Sequence, residues 1–187
     1  MIGRLLFYPT LAWNLCWSGL TARPWYDRLD ETVLLGALPL RSIMKTLVEK
    51  ENVKAMVTMN ESYELKYFTP SQKELSDLGI ERLHLSTPDL TGTPTLEQLE
   101  QAVKFILSER DKQNSVYVHC KAGKTRSATV AACYLMQLHA WDVSTAVAFI
   151  EKKRPVIWLR DKQMKSLHSY HANFVKPAQG KDDANPS

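Results

Sequence analysis

The stretch of residues 115–138 constrains the fold of this chain more strongly than any other. An apolar run of β-forming residues ends at His119 and Cys120. Five residues follow, and then Arg126 and Ser127 begin a segment that is apolar nearly all the way round. A strand that leads through a short loop into a buried helix is typical of α/β proteins. The stretch therefore predicts an α/β fold with Cys120 at the carboxyl end of a strand.

The rest of the chain repeats this alternation. Three further β-type runs, bounded by turn residues, precede the Cys120 stretch at residues 33–39, 53–59 and 80–85. Amphipathic helical patterns separate and follow these runs, and we expect Ser42 to cap one helix and another to begin near Pro94. Strands that alternate with helices predict a central, mainly parallel sheet flanked by helices on both faces.

Polar side chains follow the ends of two other predicted strands. Glu61 comes after the run 53–59, and Asp89 comes after the run 80–85. Ligands of open α/β sheets bind beside the carboxyl ends of the strands. We therefore expect Glu61 and Asp89 near Cys120.

The composition indicates one globular domain. The chain has 187 residues, 44% of them hydrophobic and 24% charged, with a net charge of +4. We place the domain at residues 27–176 and predict a disordered tail at 177–187, where alanine is the only apolar residue type. We expect a monomer with no nucleic-acid partner.

The three cysteines indicate neither a disulfide framework nor a zinc site. Cys16, Cys120 and Cys133 are an odd number at unrelated spacings. Cys133 lies within an apolar helical run and is expected to be an inert core thiol. We expect a reducing compartment, no metal and no cofactor.

Residues 1–26 form a separate leader, with Arg4 and Arg23 and no Asp or Glu. Its apolar run is shorter than the roughly 18 residues of a spanning helix, and Pro9 and Asn14 interrupt it. The leader resembles a mitochondrial presequence or an interfacial anchor. A secretory signal peptide and an N-terminal helix packed on the domain remain as alternatives.

The loop after Cys120 has the residues needed to hold a phosphate group. Its amides lead into a helix N-terminus, where they favour a thiolate and bind anionic oxygens. Gly123 permits backbone geometries that a side chain would obstruct, and Arg126 offers a planar fork of donors. The remaining candidate substrate-binding residues of the loop are Lys121, Ala122, Lys124 and Thr125.

These residues suggest covalent catalysis. The Cys120 thiolate would attack phosphorus, and Asp89 would protonate the leaving group and later accept a proton from water. We expect Ser127 to hydrogen-bond the departing thiolate and His119 to support the loop by bonding backbone carbonyls. Arg126 and the amides would stabilise the charge for which other enzymes use a metal.

An Asp at position 89 also fits an ordinary turn former, since turn-rich loops often contain Asp. Asp77 and Glu64 remain as alternatives to Asp89. The two loop lysines, Lys121 and Lys124, suit a headgroup that carries a second phosphate. Alternatively, both lysines are ordinary solvated side chains.

The segment from His119-Cys120 to Arg126-Ser127 resembles the signature of cysteine-dependent protein tyrosine phosphatases, specifically of the small dual-specificity group. The resemblance covers about residues 25–175 and implies that family's fold, with Asp89 in the position of its general acid. Arg154-Pro155 followed by Gln163 resembles the segment after the catalytic helix, which suggests a supporting role for Gln163.

Other segments resemble the mitochondrial branch of that family, which dephosphorylates phosphatidylglycerophosphate to phosphatidylglycerol in cardiolipin synthesis. They are Leu6–Thr10, Trp25-Tyr26, Thr32–Arg41 and Met59–Glu61. A Glu-Glu-Tyr-Glu loop of that branch corresponds to residues 61–64, with Ser62 as a departure, which makes Glu61 and Tyr63 candidate supporting residues. The resemblance implies a peripheral protein on the matrix side of the mitochondrial inner membrane.

Three functions therefore stay open on the sequence. The first is a phosphatase for phosphatidylglycerophosphate, and the second is a dual-specificity phosphatase for phosphotyrosine, phosphoserine or phosphothreonine in proteins. The third is a non-catalytic phosphate-binding module.

Overall fold

The computed structural model describes Pro9 and residues 24–89 and 92–175. Most of the predicted leader and all of the predicted tail lie outside these residues. The strands of the described part are β1 (Tyr26–Arg28), β2 (Val33–Gly36), β3 (Val53–Thr58), β4 (Glu81–His84) and β5 (Ser115–His119). Its helices beyond residue 40 are α1 (Met44–Glu49), α2 (Gln72–Asp77), α3 (Leu96–Asp111), α4 (Arg126–His139), α5 (Val143–Lys153) and α6 (Asp161–Phe174), with 3-10 helices at Arg41–Ile43 and Ser62–Leu65.

The five described strands form one sheet in the order β1-β2-β5-β3-β4. Strands β2, β5, β3 and β4 run parallel to their neighbours, and β1 pairs antiparallel with β2 at the edge. The predicted mainly parallel α/β sheet is confirmed. Strand β1 was not predicted because three residues that include Asp27 and Arg28 carry no hydrophobic alternation.

Strand β5 is central, and all five of its residues are buried. One face of the sheet packs against α3 and α4, and α5 and α6 pack on α4 to complete that core, which includes Val116 and Val118. The other face packs against α1 and α2, with Tyr117 in a smaller core. Helices on both faces explain why β5 reads as an uninterrupted apolar run.

Helix α4 lies against the central strands as predicted. Every residue from Arg126 to Met136 is buried, because the helix contacts the sheet and three other helices. Buried Arg126 and Ser127 are exceptions to an apolar surface, and both belong to the first turn, which faces the loop after Cys120.

Two helices begin one or two residues away from their predicted starts. Ser42 lies inside the Arg41–Ile43 3-10 helix, and α1 begins at Met44 without a side-chain cap. Helix α3 begins at Leu96 rather than near Pro94, because Thr95 accepts a hydrogen bond from the Gln98 backbone in a capping box.

Backbone hydrogen bonds join the carboxyl ends of the parallel strands. The Met59 amide donates to the His119 carbonyl at 3.0 Å, and the Thr87 amide donates to the Met59 carbonyl at 3.2 Å. The Leu38 amide donates to the Lys121 carbonyl at 3.2 Å. These bonds hold the segments that follow β2, β3, β4 and β5 together around Cys120.

Among residues 24–89 and 92–175, no helix is both long and apolar enough to cross a bilayer.

Candidate active site

Residues 120–125, the cysteine loop, connect β5 to α4. Gly123 has φ +65°, and a Cβ atom there would lie 2.5 Å from the backbone of Gly36. Both the left-handed conformation and the close approach require glycine. The cysteine loop is therefore held against the end of β2.

Cys120 is buried and faces the first turn of α4, and the Ser127 hydroxyl donates a hydrogen bond to its Sγ at 3.2 Å. Burial raises the pKa of the thiol. The Arg126 charge, the Ser127 hydroxyl and the backbone amides of Ser127 and Lys124 outweigh that effect and lower the pKa of Cys120 below its usual value. In contrast, burial raises the pKa of Cys133, in agreement with an inert core thiol.

Arg126 is buried and held on three sides. Its Nη1 donates to the carbonyl oxygens of Thr87 at 2.8 Å and Met59 at 3.2 Å. Both Nη atoms pair with the Glu64 carboxylate, at 2.8 and 3.1 Å. This fixes the guanidinium beside the cysteine loop, and the bonds to Glu64 help to raise its pKa further.

Glu64 is the first residue whose place the sequence did not predict. Glu64 is one of the two alternative acids, yet its side chain is buried and bound to Arg126 on both oxygens. It also accepts from the Glu61 backbone at 2.6 Å in the capping box of the Ser62–Leu65 helix. The three-residue spacing of Glu61 and Glu64 was the available signal.

Asp89 lies at the same place as Arg126 and Cys120, as expected from its position after β4. One carboxylate oxygen accepts from Arg126 Nη2 at 3.0 Å, and the other pairs with Lys121 Nζ. The Asp89 backbone N–H donates to Glu61 Oε2 at 3.3 Å. The other alternative acid, Asp77, lies on α2 in an exposed ion pair with Lys73.

These groups surround a cavity of about 140 Å³. Cys120, Asp89 and Arg126 line it, together with Trp158 and Arg160 from the segment before α6. The other lining residues are Gly92, Lys121, Ala122, Lys124 and Thr125. A group bound there meets a nucleophile, a carboxyl group and several cations, which is the chemistry of a phosphate ester site.

The two loop lysines differ. Lys121 is buried and paired with Asp89, whereas Lys124 is partly exposed. Lys121 is therefore not an ordinary solvated side chain. Thr125 donates from its hydroxyl to the Trp158 carbonyl at 2.9 Å, which fixes the end of the loop against the segment before α6.

His119 links strand β5 to strand β3 at the site. Its Nε2 lies 2.8 Å from the Thr58 hydroxyl on β3, and its ring also interacts with the backbone of Cys120. Burial, with the neighbouring Arg82 charge, lowers the pKa of His119 to about 3, so the ring is neutral at physiological pH. The ring therefore adds no charge to the site.

Gln163 and Tyr63 lie outside the cavity lining. Gln163 Nε2 donates to the Thr93 hydroxyl at 2.8 Å, so it contacts the segment that follows Asp89 instead of the cysteine loop. Tyr63 lines a separate cavity. Burial and the carboxylates of Glu64 and Glu61 raise the pKa of Tyr63 to about 12.

Arg154 is the second residue missed by sequence reasoning. It is buried, and its Nε donates to the Gly123 carbonyl at 2.9 Å while Nη2 donates to the Ala122 carbonyl at 3.4 Å. Its Nη1 pairs with Asp27 of β1 at 2.5 Å. The position before Pro155 at a helix end was the available signal, although it equally fits a residue that only stabilises the helix dipole.

Comparison with known families agrees with this geometry. Residues 40–173 match the family described as dual specificity phosphatase, catalytic domain. The chain belongs to the dual-specificity phosphatase family. No group of three or more His, Cys, Asp or Glu side chains that suits a metal ion occurs within the described part of this family member.

Named relatives extend the similarity over nearly the whole chain. The chain is 48% identical to human phosphatidylglycerophosphatase and protein-tyrosine phosphatase 1 over 180 residues, which cover 95% of this chain and 90% of the human protein. It is 36% identical to phosphatidylglycerophosphate phosphatase PTPMT2 of Arabidopsis thaliana, over 90% of this chain and 72% of the plant protein.

Solved structures show the same fold. A crystal structure of PTPMT1 in complex with PI(5)P superposes with a TM-score of 0.79 at 45% identity, over 81% of this chain and 97% of that one. The active form of Tk-PTP superposes with a TM-score of 0.73 at 28% identity, over 80% of this chain and 98% of that one.

Replacement of Ser127 by alanine should shift the ionisation of Cys120. The hydroxyl donates to the sulfur, so its loss should raise the pKa of the thiol by about one unit, the size of one hydrogen bond to a charged group. Below the new pKa the thiolate fraction falls, and the reaction slows. The measurement is the pH dependence of Cys120 alkylation by iodoacetate, with the modified peptide resolved by mass spectrometry.

Ser144→Ala is the matched control, because that hydroxyl donates to Asp142 at an exposed helix start. It should leave the midpoint of Cys120 alkylation unchanged. An unchanged midpoint in Ser127→Ala would show that the hydroxyl does not stabilise the thiolate.

Proposed function

We propose that this protein is a metal-independent phosphatase that removes the terminal phosphate of phosphatidylglycerophosphate. The observation that carries the proposal is the catalytic cavity, in which Cys120, Arg126 and Asp89 meet at the carboxyl edge of the sheet. The substrate class is supported by relatives that are named for this reaction and match 90% or more of the chain.

In the first step the Cys120 thiolate attacks phosphorus. A sulfur–phosphorus bond forms, the bond to the ester oxygen breaks, and protonated Asp89 delivers a proton to the departing alkoxide. Phosphate oxygens replace the Asp89 carboxylate as the partners of Arg126 and Lys121.

In the second step water attacks the phosphorus of the cysteinyl-phosphate. The carboxylate of Asp89 takes a proton from that water, the sulfur–phosphorus bond breaks, and inorganic phosphate leaves. Ser127 donates its hydrogen bond to the thiolate that departs from phosphorus. Arg126 stays in place throughout because Glu64 and two carbonyl groups hold it independently of the substrate.

A second candidate function is a phosphatase for phosphotyrosine and phosphoserine or phosphothreonine in proteins. The name of the human relative includes protein-tyrosine phosphatase beside phosphatidylglycerophosphatase. The observation that favours lipid is the charge of the cavity, which Lys121, Lys124 and Arg160 line in addition to Arg126. A headgroup with two phosphates meets several cations there, whereas a phosphotyrosine side chain carries one phosphate.

The location that accompanies the lipid reaction is the matrix side of the mitochondrial inner membrane, in the pathway to cardiolipin. The leader, with its two arginines and no acidic residue, supports delivery to the organelle. We further propose a monomer that associates with the membrane peripherally.

A comparison of substrates tests the function. Turnover of phosphatidylglycerophosphate in mixed micelles should exceed turnover of phosphotyrosine peptides by at least tenfold in kcat/KM, because the cationic cavity binds the second phosphate. Cys120→Ser is the control and should abolish both activities while phosphate binding persists. A preference for peptides would reject the lipid function, and activity in Cys120→Ser would reject the mechanism.

Replacement of Asp89 by alanine tests the acid. The change should slow a substrate with an alkoxide leaving group by 10²–10⁴-fold, since general acid catalysis typically contributes this much. An aryl phosphate with a good leaving group should slow far less, because its phenolate departs without a proton. Asp77→Ala is the matched control, because it removes an exposed carboxylate and should leave both rates unchanged. Equal slowing of both substrates by Asp89→Ala would show that another group supplies the proton.

Deletion of residues 1–23 tests the location. The cut should leave Pro24 and Trp25, because the Pro24 carbonyl accepts from Arg154 and Trp25 Nε1 donates to Leu38 at 2.7 Å. Fluorescence microscopy and fractionation should show the full chain in mitochondria and the shortened chain outside them. The same distribution for both proteins would refute a targeting role of the leader.

A further inference from the structure

A second cavity, of about 480 Å³, lies beside the Ser62–Leu65 helix. Ser62, Tyr63 and Leu65 of that helix form one part of its wall, and Arg82 and His84 of β4 form another. We refer to this cavity as the Arg82 pocket. The Ser62–Leu65 helix separates this pocket from the catalytic cavity. Tyr63 of that helix lines the pocket, and the neighbouring Glu64 pairs with Arg126.

Arg82 is the residue of this pocket whose charge lacks a partner within the described part of the chain. Its Nε is buried and has no hydrogen-bond acceptor, and the described part of the chain supplies no ion pair for its guanidinium. A buried donor without an acceptor costs about 1–3 kcal/mol, and more when it is charged. Burial accordingly lowers the pKa of Arg82. An anion in the pocket would remove this cost.

The other charged groups of the pocket are also basic. Lys66 and Arg41 line it with Arg82 and His84, and no carboxylate is among the lining residues. Arg41 is already engaged, since it pairs with Glu74 at 3.1 Å. Lys66 and Arg82 are therefore the cations that the pocket offers to a ligand, and the fork of Arg82 suits the oxygens of a phosphate.

Two exposed aromatic residues next to Lys66 indicate the source of that phosphate. Tyr67 and Phe68 follow Lys66 directly, and their side chains are 57% and 42% exposed. Their carbonyl oxygens accept from Arg41, at 2.9 Å from Nη1 to Tyr67 and at 3.3 Å from the backbone amide to Phe68. Exposed aromatic side chains beside cations are typical of a protein surface that contacts the headgroup region of a bilayer.

We propose that the Arg82 pocket binds the phosphate of an anionic phospholipid headgroup, with Tyr67 and Phe68 at the bilayer surface. The site is distinct from the catalytic cavity and holds a lipid that the enzyme does not hydrolyse. It extends the proposed function, because it keeps the protein at the membrane while a second lipid occupies the Cys120 cavity.

The test measures binding of the full chain to vesicles of phosphatidylcholine with and without phosphatidylglycerol. All proteins carry Cys120→Ser, so that no lipid is turned over. Arg82→Gln and Lys66→Gln should each weaken binding to the phosphatidylglycerol vesicles about fivefold, as expected for one basic residue at an anionic surface. Lys104→Gln removes the same charge from the exposed side of α3 and should change binding less than twofold.

Titration with inorganic phosphate separates the two sources of the anion. The nuclear magnetic resonance signal of Arg82 Nε–H should shift on addition of phosphatidylglycerol vesicles or of short-chain lipid, and more weakly with inorganic phosphate. A shift with inorganic phosphate combined with unchanged vesicle binding in Arg82→Gln would overturn the lipid site. An equal loss in Arg82→Gln and Lys104→Gln would also overturn it, since the effect would then be one of net charge.

Two further measurements keep the result interpretable. Thermal unfolding checks that Arg82→Gln is folded; if it is not, the exposed Lys66→Gln decides the outcome. Hydrolysis of phosphatidylglycerophosphate by protein that retains Cys120 tests the proposed function separately. If the Arg82 and Lys66 variants bind vesicles more weakly but the protein with Cys120 does not hydrolyse the lipid, the pocket is supported and the proposed function is rejected. If the lipid is hydrolysed but the variants bind vesicles unchanged, the function is supported and the pocket is rejected.

Discussion

The buried ion pair between Arg126 and Glu64 is the interaction on which the site depends. Burial of a guanidinium costs several kcal/mol unless its charge is paired and its donors are bonded. Here Glu64 supplies the charge, and the carbonyl groups of Met59 and Thr87 supply acceptors. The paired charge then remains close enough to Cys120 to lower the pKa of its thiol against the effect of burial.

A second buried arginine stabilises the other side of the cysteine loop. Arg154 bonds the carbonyl groups of Gly123 and Ala122, so these groups turn away from the cavity while loop amides remain on its side near Cys120. Its charge is matched by Asp27 of β1. The short edge strand β1 therefore contributes to the site even though it lies two strands away from β5.

Charge also relates the catalytic cavity to the Arg82 pocket. Cations dominate both, and the Ser62–Leu65 helix separates them. In the catalytic cavity, Asp89 and Glu64 pair with Lys121 and Arg126, whereas Arg82 has no carboxylate partner in the described structure. A membrane rich in anionic lipid offers partners to both sites, which is the physical reason to place them on one enzyme of phospholipid metabolism.

The sequence by itself determined the α/β fold, the central strand β5 and the grouping of Cys120, Arg126 and Asp89, because hydrophobic periodicity and strand ends are local properties of the chain. The catalytic roles of these residues and the location of the protein stay predictions. Tertiary structure alone decided the partners of the buried charges. Glu64 meets Arg126 across 62 residues and Asp27 meets Arg154 across 127, and no local pattern encodes pairs so far apart, since their contact depends on how the strands and loops come together.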